Sequence, residues 1–259
     1  MKKLDFFLVP LAVFVSCQKD NRTNTPPEPA ISNTTSVLAS ATTLSFSGYT
    51  WNIKDSGAGT AGPGPNSWSR SNAFVDAQGN LHLKITKVGA KWYCAEVTST
   101  QSFGYGTYQW HVEGRIDQLD KNVVLGLFNY SGADGYDEMD IEYAKWGLSN
   151  ANNTNFTVYP AQGSHLANWH TTCNTTLTGT YTTQRFKRNS KTSVYFQELG
   201  GFQSGNTNQI TSATCNNPPN SISALAMPVH MNLWLFQGHA PTNNNQVEII
   251  IHSFTFTRL

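Results

Sequence analysis

From Leu44 to the C-terminus, the sequence consists of many short runs in which apolar and polar residues alternate. NLHLKITKV (80–88) places three aliphatic side chains on one face of a strand, and MPVHMNLWLF (227–236) repeats this period of two. Gly, Asn, Pro and Ser clusters separate the runs, and no apolar stripe of helical period extends beyond about three turns. The pattern predicts an all-β chain of about ten or more antiparallel strands, folded as a β-sandwich jelly roll of two packed sheets.

Residues 44–259 contain no internal repeat and no change of composition that would divide them, which predicts one domain. The formal net charge of the chain is only +1, with 17 Lys and Arg against 16 Asp and Glu. Such a balance produces no field that would attract nucleic acid or an anionic membrane surface. We therefore expect neither partner, and we expect a monomer.

The N-terminus has the features of an export signal. A basic start precedes the apolar run FFLVPLAVFVS (6–16), which is too short to span a bilayer as a helix. The run ends at Cys17, and FVSC resembles a bacterial lipobox, which predicts a signal peptide over 1–17 and a lipid on Cys17. A cleaved secretory signal with an unmodified cysteine is the alternative. Residues 18–43 are polar and contain three prolines, which predicts a flexible linker between a cell-envelope anchor and the domain.

Three cysteines follow the linker, and export would place them in an oxidising compartment. Cys173 and Cys215 both lie in polar, turn-rich sequence, so we expect them to form a disulfide. Cys94 lies in an apolar run and is expected to be a buried thiol. No CxxC or HExxH spacing occurs, so we expect no metal site of that kind.

The segment DGYDEMDIEYAKWG (134–147) contains four carboxylates within six positions. On a strand, Glu138, Asp140 and Glu142 would share one face, and Asp137 would point away from it. Three carboxylates in one row repel each other, so at least one pKa should be raised. The opposite face would carry Met139, Ile141 and Tyr143.

Two carboxylates with different proton affinities are what hydrolysis of a glycosidic bond requires. On a straight strand, residues i and i+4 are about 13 Å apart at Cα, whereas the retaining mechanism requires carboxyl groups roughly 5 to 5.5 Å apart. The pattern therefore predicts catalysis only if the sheet is curved. The alternatives are a solvated acidic strand and a divalent cation site, although the ligand spacing of an EF-hand loop is absent.

Several segments, in order along the chain, resemble glycoside hydrolase family 16, and especially its lichenase-like and laminarinase-like endo-β-glucanases. DEMDIEY (137–143) is similar to the family signature DEIDIEF, and MNLW (231–234) matches as it stands. FGYGTYQWHVEGRI (103–116), GLFNYSG (126–132) and SVYFQELGG (193–201) resemble further family strands. The resemblance covers most of 44–259. It implies a concanavalin-like jelly roll with a concave carbohydrate cleft and an exported retaining endo-β-glycanase acting on β-1,3/1,4-linked glucan or a related polysaccharide.

The resemblance also implies roles for individual residues. Glu138 would be the nucleophile, Asp140 the assisting acid and Glu142 the general acid and base. Residues implied to bind the substrate are Glu96, Phe128, Tyr130, Tyr159, Asn232 and Trp234.

Some positions depart from the family pattern. Thr98 stands where the lichenase pattern has Arg, and HSFT (252–255) provides no carboxylate for a structural calcium ion, so we expect no cofactor. Trp68 in GPGPNSWS (62–69) is either a sugar platform or a buried anchor. Two other functions stay open: transglycosylation on β-glycans, and carbohydrate binding without catalysis on a lectin-like jelly roll.

Overall fold

A computed structural model describes residues 42–164, 166–216 and 221–259 of the chain, and these ranges contain sixteen strands and three short 3-10 turns. The strands are β1 (Thr43–Phe46), β2 (Tyr49–Ile53), β3 (Ala73–Val75), β4 (Leu81–Val88), β5 (Lys91–Tyr93), β6 (Ala95–Phe103), β7 (Gly106–Glu113), β8 (Val123–Tyr130), β9 (Glu138–Tyr143), β10 (Thr154–Tyr159), β11 (Trp169–Cys173), β12 (Tyr181–Ser190), β13 (Ser193–Gly200), β14 (Gln209–Asn216), β15 (Met227–Leu235) and β16 (Val247–Arg258). The 3-10 turns are Arg70–Asn72, Ile116–Gln118 and Phe236–Gly238.

The strands form two antiparallel sheets that pack face to face. The first sheet has the order β1-β2-β6-β15-β8-β9-β10-β11, and the second has the order β14-β13-β12-β7-β16-β4-β3, with β5 paired to β4. Hairpins of consecutive strands alternate with pairs from distant parts of the chain, such as β6 with β15 and β7 with β16, as in a jelly roll. The predicted all-β sandwich is confirmed.

The core lies between the sheets and consists of the apolar faces that the alternating sequence predicted. Leu81, Leu83 and Ile85 of β4 are fully buried, as are Met231 and Leu233 of β15. Aromatic rings fill much of this space. For example, Tyr108 of β7 stacks on Phe186 of β12 at 4.5 Å, and Trp51 of β2 meets Phe254 of β16 edge-on at 5.6 Å.

A buried arginine of the second sheet forms hydrogen bonds to strand β8 of the first sheet. Arg188 of β12 has no exposed surface and donates to Asn129 Oδ1 of β8 at 2.7 Å. It also donates to the carbonyl oxygens of Ser223 and Leu225 at 2.7 and 2.9 Å. Removing any of these acceptors would leave a buried charge under-compensated, so this network fixes β8 against the other sheet.

The predicted signal segment, Cys17 and residues 18–41 of the predicted linker lie outside the described residues. The first strand begins at Thr43, next to the predicted start of the domain. In the described ranges, no helix is long and apolar enough to cross a membrane.

The predicted disulfide between Cys173 and Cys215 is wrong, because both thiols are free. Cys173 ends β11 in the first sheet, and its Sγ lies 3.5 Å from Oγ1 of Thr211 on β14. Cys215 is four residues further along β14, which is roughly 13 Å on an extended strand. A disulfide needs Cα atoms about 4.4 to 6.8 Å apart, so register along β14 separates the two thiols. Cys94 is buried and free, as expected.

Candidate active site

Strand β9 carries the acidic segment and sorts its side chains between its two faces. Met139, Ile141 and Tyr143 are fully buried between the sheets. Glu138, Asp140 and Glu142 lie on the outer face of the first sheet, where Asp140 is buried and the two glutamates keep partial exposure. The predicted division of β9 is therefore confirmed. Asp137 precedes the strand with φ of 52° and is buried away from this row.

The register of the first sheet brings residues from separate strands into line with these acids. Residues directly opposite each other in antiparallel strands point to the same face. Three cross-strand rows result, and each contains one of the three acids of β9. The rows are Glu96–Asn232–Gly126–Glu142, Thr98–His230–Phe128–Asp140, and Tyr130–Glu138–Tyr159.

These rows form the floor of a cleft of about 770 Å³ on the outer face of the first sheet. The cleft contains the three acids and every residue that the sequence resemblance placed at the substrate. The six residues are Glu96, Phe128, Tyr130, Tyr159, Asn232 and Trp234.

Burial is the largest cause of the raised pKa values of the three acids. Burial, followed by the charge of Glu138, raises the pKa of Glu142 to about 8. Burial also raises the pKa of Glu138 to about 7, although a hydrogen bond with Asp140 opposes this change. Asp140 is the most buried, and burial together with the charges of both glutamates raises its pKa well above the usual range. Near neutral pH, the cluster therefore retains protons that isolated carboxyl groups would have released.

The pKa of Glu96, at the far end of its row, is lowered and not raised. Burial would raise its pKa, but interactions with His230 and Lys54 outweigh burial, so its pKa lies below the usual value. Lys54 Nζ donates to Glu96 Oε1 at 3.0 Å, and Asn232 Nδ2 donates to Oε2 at 3.2 Å. Glu96 is thus an ionised carboxylate at one end of the cleft. Thr98, where the family pattern has Arg, instead contacts His230 Nδ1 at 3.0 Å.

Asn232 lies between Glu96 and Glu142 and has one unused acceptor. Its Oδ1 is buried and has no hydrogen-bond partner among the described residues, so a donor from a bound molecule would satisfy it. Gly126 provides the space for this side chain, because a Cβ at that position would lie 2.5 Å from Asn232 Oδ1. The glycine is therefore required for close approach and not for a turn.

Four charged or aromatic side chains in the cleft were not predicted from the sequence: Lys54, Asp134, Trp146 and His230. Lys54 follows β2, and only the pairing of β2 with β6 brings it to Glu96. His230 lies flat against Phe128 with ring centroids 4.8 Å apart. The period-two pattern of MPVHMNLWLF placed His230 on the cleft face, so that signal was available in the sequence.

Trp146 follows β9 and stands at the Glu142 end of the cleft. Its backbone is in the left-handed region with φ of 51°, which is costly for an aromatic residue. Nε1 donates to Asn155 Oδ1 at 3.0 Å, and the ring packs against Phe236 and Trp234. These contacts hold the indole in a strained position beside the acids, as is common for residues at functional sites.

Trp68 is a buried anchor and not a sugar platform. Its side chain is almost fully buried, and Nε1 donates to the carbonyl oxygen of Ala61 at 2.9 Å. Lys54 Nζ lies 4.3 Å from the centroid of the indole ring. Trp68 therefore supports Lys54 from beneath, while the preceding segment 62–64 reaches the edge of the cleft.

Comparison with solved structures identifies the class of fold. The β-glucanase of Bacillus licheniformis superposes with a TM-score of 0.58 at 19% identity, over 81% of this chain and 92% of that one. A glycoside hydrolase family 16 endo-glucanase from Bacteroides ovatus, in complex with G4G3G-2F-DNP, has a TM-score of 0.58 at 13% identity, over 80% and 94%. A β-1,3-glucanase from Mycobacterium marinum has a TM-score of 0.57 at 18% identity, over 80% and 90%.

The chain thus has the jelly-roll fold of these glucanases, as the sequence resemblance implied. No protein-family model matches the sequence, and no curated protein sequence matches it. At these levels of identity, the similarity shows the fold, and function must be argued from the cleft.

Proposed function

We propose that this chain is a retaining endo-β-glycanase that hydrolyses β-1,3/1,4-linked glucan or a related neutral polysaccharide. The observation that carries the proposal is the row of three carboxyl groups with raised pKa values on the floor of an aromatic-lined cleft. A strand that needed only solubility would have no use for acids that repel each other in a buried row. The fold that the chain shares with the named glucanases supports the same assignment.

Burial raises the pKa values of both Glu138 and Glu142, which suits a site where one carboxyl group must be ionised while the other keeps a proton. In the first step, the Glu138 carboxylate attacks the anomeric carbon as the glycosidic C–O bond breaks, and Glu142 gives its proton to the departing oxygen. In the second step, Glu142 takes a proton from water, whose oxygen attacks the anomeric carbon and releases Glu138. One water is consumed, and both acids return to their initial states.

Asp140 assists Glu138 without bonding to the substrate. Its high pKa keeps it protonated, so it can donate a hydrogen bond to the Glu138 carboxylate. That bond favours the ionised form of the nucleophile and holds it in place. It also stabilises the carboxylate when the covalent intermediate breaks down.

The lining of the cleft favours a neutral glycan. Among its described residues, the basic side chains are Lys54 and His230, and Lys54 is already paired with Glu96. A sulfated or carboxylated polymer would find no unpaired lysine or arginine there. Aromatic rings at Phe128, Tyr130 and the neighbouring strands offer flat surfaces for the C–H faces of pyranose rings.

Chemical rescue with azide tests the mechanism. In Glu138→Ala, azide can enter the space of the lost nucleophile and attack an activated aryl β-glucoside, so the product should be the α-glycosyl azide. In Glu142→Ala, Glu138 still forms the covalent intermediate, and azide then replaces water to give the β-glycosyl azide. Identical stereochemistry from both variants, or wild-type turnover by Glu138→Gln, would contradict the assignment.

The reaction type and the substrate need separate assays. Release of reducing ends from lichenan, laminarin, xyloglucan and agarose would identify the polymer. Product analysis with an added oligosaccharide acceptor would separate hydrolysis from transglycosylation, in which a sugar hydroxyl replaces water. Binding to these polymers without any new reducing ends would instead support a lectin-like protein.

The location of the enzyme is part of the proposal. The apolar run before Cys17 supports export, and the lipobox-like FVSC supports a lipid anchor in the cell envelope. Growth with a labelled fatty acid should label the wild-type protein but not Cys17→Ser. Labelling of neither protein, with the domain found in the medium, would support a secreted enzyme.

A further inference from the structure

The second sheet carries a cluster of exposed and half-buried rings that lies outside the cleft. We name it the aromatic platform, and it consists of His111, Tyr181, Phe202 and His252. Phe202 stacks flat on His111 with centroids 4.7 Å apart, and Tyr181 meets Phe202 edge-on at 4.9 Å. Tyr181 and Phe202 are 48% and 39% exposed, so part of each ring is open to solvent. None of these residues lines the catalytic cleft.

The loop that presents Phe202 is held by a buried arginine. Arg185 of β12 donates to Gln109 Oε1 at 2.9 Å, and also to Gln197 Oε1 at 2.7 Å and Asn206 Oδ1 at 2.8 Å. Its side chain is buried, and no carboxylate is among its hydrogen-bond acceptors in the described part of the chain. These hydrogen bonds satisfy the buried guanidinium group and fix the conformation of the loop.

Further bonds fix the platform to the sheet. Thr183 Oγ1 donates to the carbonyl oxygen of Gly201 and accepts from the backbone N–H of Gln203, both at 2.8 Å. The backbone N–H of Gly201 donates to the carbonyl oxygen of Tyr181 at 2.7 Å. The two exposed rings are therefore pre-ordered, and binding to them would cost little conformational entropy.

A depression of about 510 Å³ adjoins the platform at Tyr181. Its walls are apolar at Leu177 and Ile210 and polar at Thr178, Thr180 and the Asn208 region, and its lining carries no charged side chain among the described residues. An aromatic face beside hydroxyl and amide groups is the combination that recognises sugars: the ring covers C–H groups, and the polar groups bond to hydroxyls.

We propose that the aromatic platform and this depression form a second, non-catalytic glycan site that binds a segment of the same neutral polysaccharide. This inference rests on the proposed function for the identity of the polymer. Burial lowers the pKa of His111, so its ring is neutral at pH 7 and the stack with Phe202 suits an uncharged ligand. The site would keep the enzyme on an insoluble polymer while the cleft on the other sheet acts on a chain.

Phe74 provides a matched control on the same sheet. It is 40% exposed and stacks on His82 at 4.7 Å, like Phe202 on His111. In the described part of the chain, no second exposed ring stacks on or meets Phe74, and Phe74 lines neither the cleft nor the depression. A general effect of removing an exposed phenylalanine would therefore appear in Phe74→Ala as well.

Two binding assays test the inference: retention on insoluble β-1,3-glucan, and electrophoresis through a gel that contains barley β-glucan. Both use the Glu138→Gln variant as the parent protein, so that the polymer is not digested. Adding Tyr181→Ala and Phe202→Ala should raise the dissociation constant about tenfold or more, because each ring contributes roughly a factor of three to ten. Phe74→Ala should leave it unchanged, and Tyr181→Trp with Phe202→Trp should restore binding. Retention of the double alanine variant equal to its parent would overturn the inference.

A second readout separates this site from the proposed function. With Glu138 intact, the double alanine variant should hydrolyse a soluble tetrasaccharide at the wild-type rate and insoluble glucan several-fold more slowly. If the wild-type enzyme hydrolyses no glycan, the proposed function fails, while the retention assay still decides the platform. If the wild-type chain dimerises and the double variant is monomeric without a change in retention, the platform is an interface between copies and the inference fails.

Discussion

Replacing Glu142 by Gln should stabilise the protein, and by an amount that depends on pH. The pKa of Glu142 is 4.5 in an unfolded chain and about 8 in the folded one. Between these values the unfolded state has released the proton and the folded state has kept it. The folded state then binds more protons, so the free energy of unfolding falls as pH rises. The full contribution is present below pH 4.5 and is lost by about pH 8.

The size of the effect follows from the same values. A pKa difference costs about 1.4 kcal/mol per unit, so the rise from 4.5 to about 8 corresponds to an upper value of about 5 kcal/mol. Partial exposure of the Glu142 side chain allows solvent to screen its charge, which reduces the effect to about 2 to 3 kcal/mol. Glutamine has nearly the same shape and cannot ionise. The variant should therefore match wild type at pH 4.5 and exceed its stability by that amount at pH 8.5.

Urea unfolding followed by tryptophan fluorescence at pH 4.5, 6, 7 and 8.5 would measure this difference. Glu248→Gln is the control of opposite sign. Interactions with His82 and Lys84 outweigh burial and lower the pKa of Glu248, so its ionised form stabilises the fold above pH 4.5. That variant should lose stability at neutral pH. If the Glu142→Gln variant loses as much stability between pH 4.5 and 8.5 as the wild type does, then burial and repulsion do not raise the pKa of Glu142 in the wild type.

Three further predictions follow from the cleft and the thiols. Gly126→Ala should lower kcat/KM about tenfold or more by displacing Asn232, whereas Gly104→Ala, which meets no atom within 4 Å, should be neutral in steady-state kinetics. Asp140→Ala should move the acidic limb of the pH profile of kcat/KM up by about one pH unit, because Glu138 loses a hydrogen-bond donor. Asp140→Asn keeps a donor and should leave the limb in place. Equal shifts in both variants would contradict a hydrogen-bonding role for Asp140. Iodoacetamide without reductant should modify all three described cysteines in denatured protein, as measured by the mass of the alkylated protein. If two of them react only after reduction, the cysteines form a disulfide and the free thiols are contradicted.

The sequence predicted the acid row correctly because strand geometry is local. Side chains alternate between faces with a period of two, so the spacing of Glu138, Asp140 and Glu142 alone places them together. The same rule placed Asn232 and Trp234 on the cleft face of β15 and their neighbours in the core. The resemblance to known glucanase motifs added four further residues, Glu96, Phe128, Tyr130 and Tyr159, all of which line the cleft.

Cross-strand relations escaped prediction because they depend on register and sheet order. Nothing in the sequence places Lys54 against Glu96, since 42 residues and the pairing of two strands separate them. The disulfide prediction failed for the same reason. Cys173 and Cys215 lie in segments of similar composition, but the residue of β14 that lies next to Cys173 is Thr211 and not Cys215.

Local periodicity was thus sufficient to establish an all-β sandwich, the two faces of β9 and the acids that share one face. The proton affinities of those acids, the ion pair at Glu96 and the aromatic platform depend on burial and on contacts between distant segments. Burial is a property of the packed molecule, because the surrounding strands and loops remove water from a carboxyl group and bring other charges near it. For this reason, the alternating sequence identifies the chemical groups, while the pairing of β6, β15, β8, β9 and β10 makes them a site.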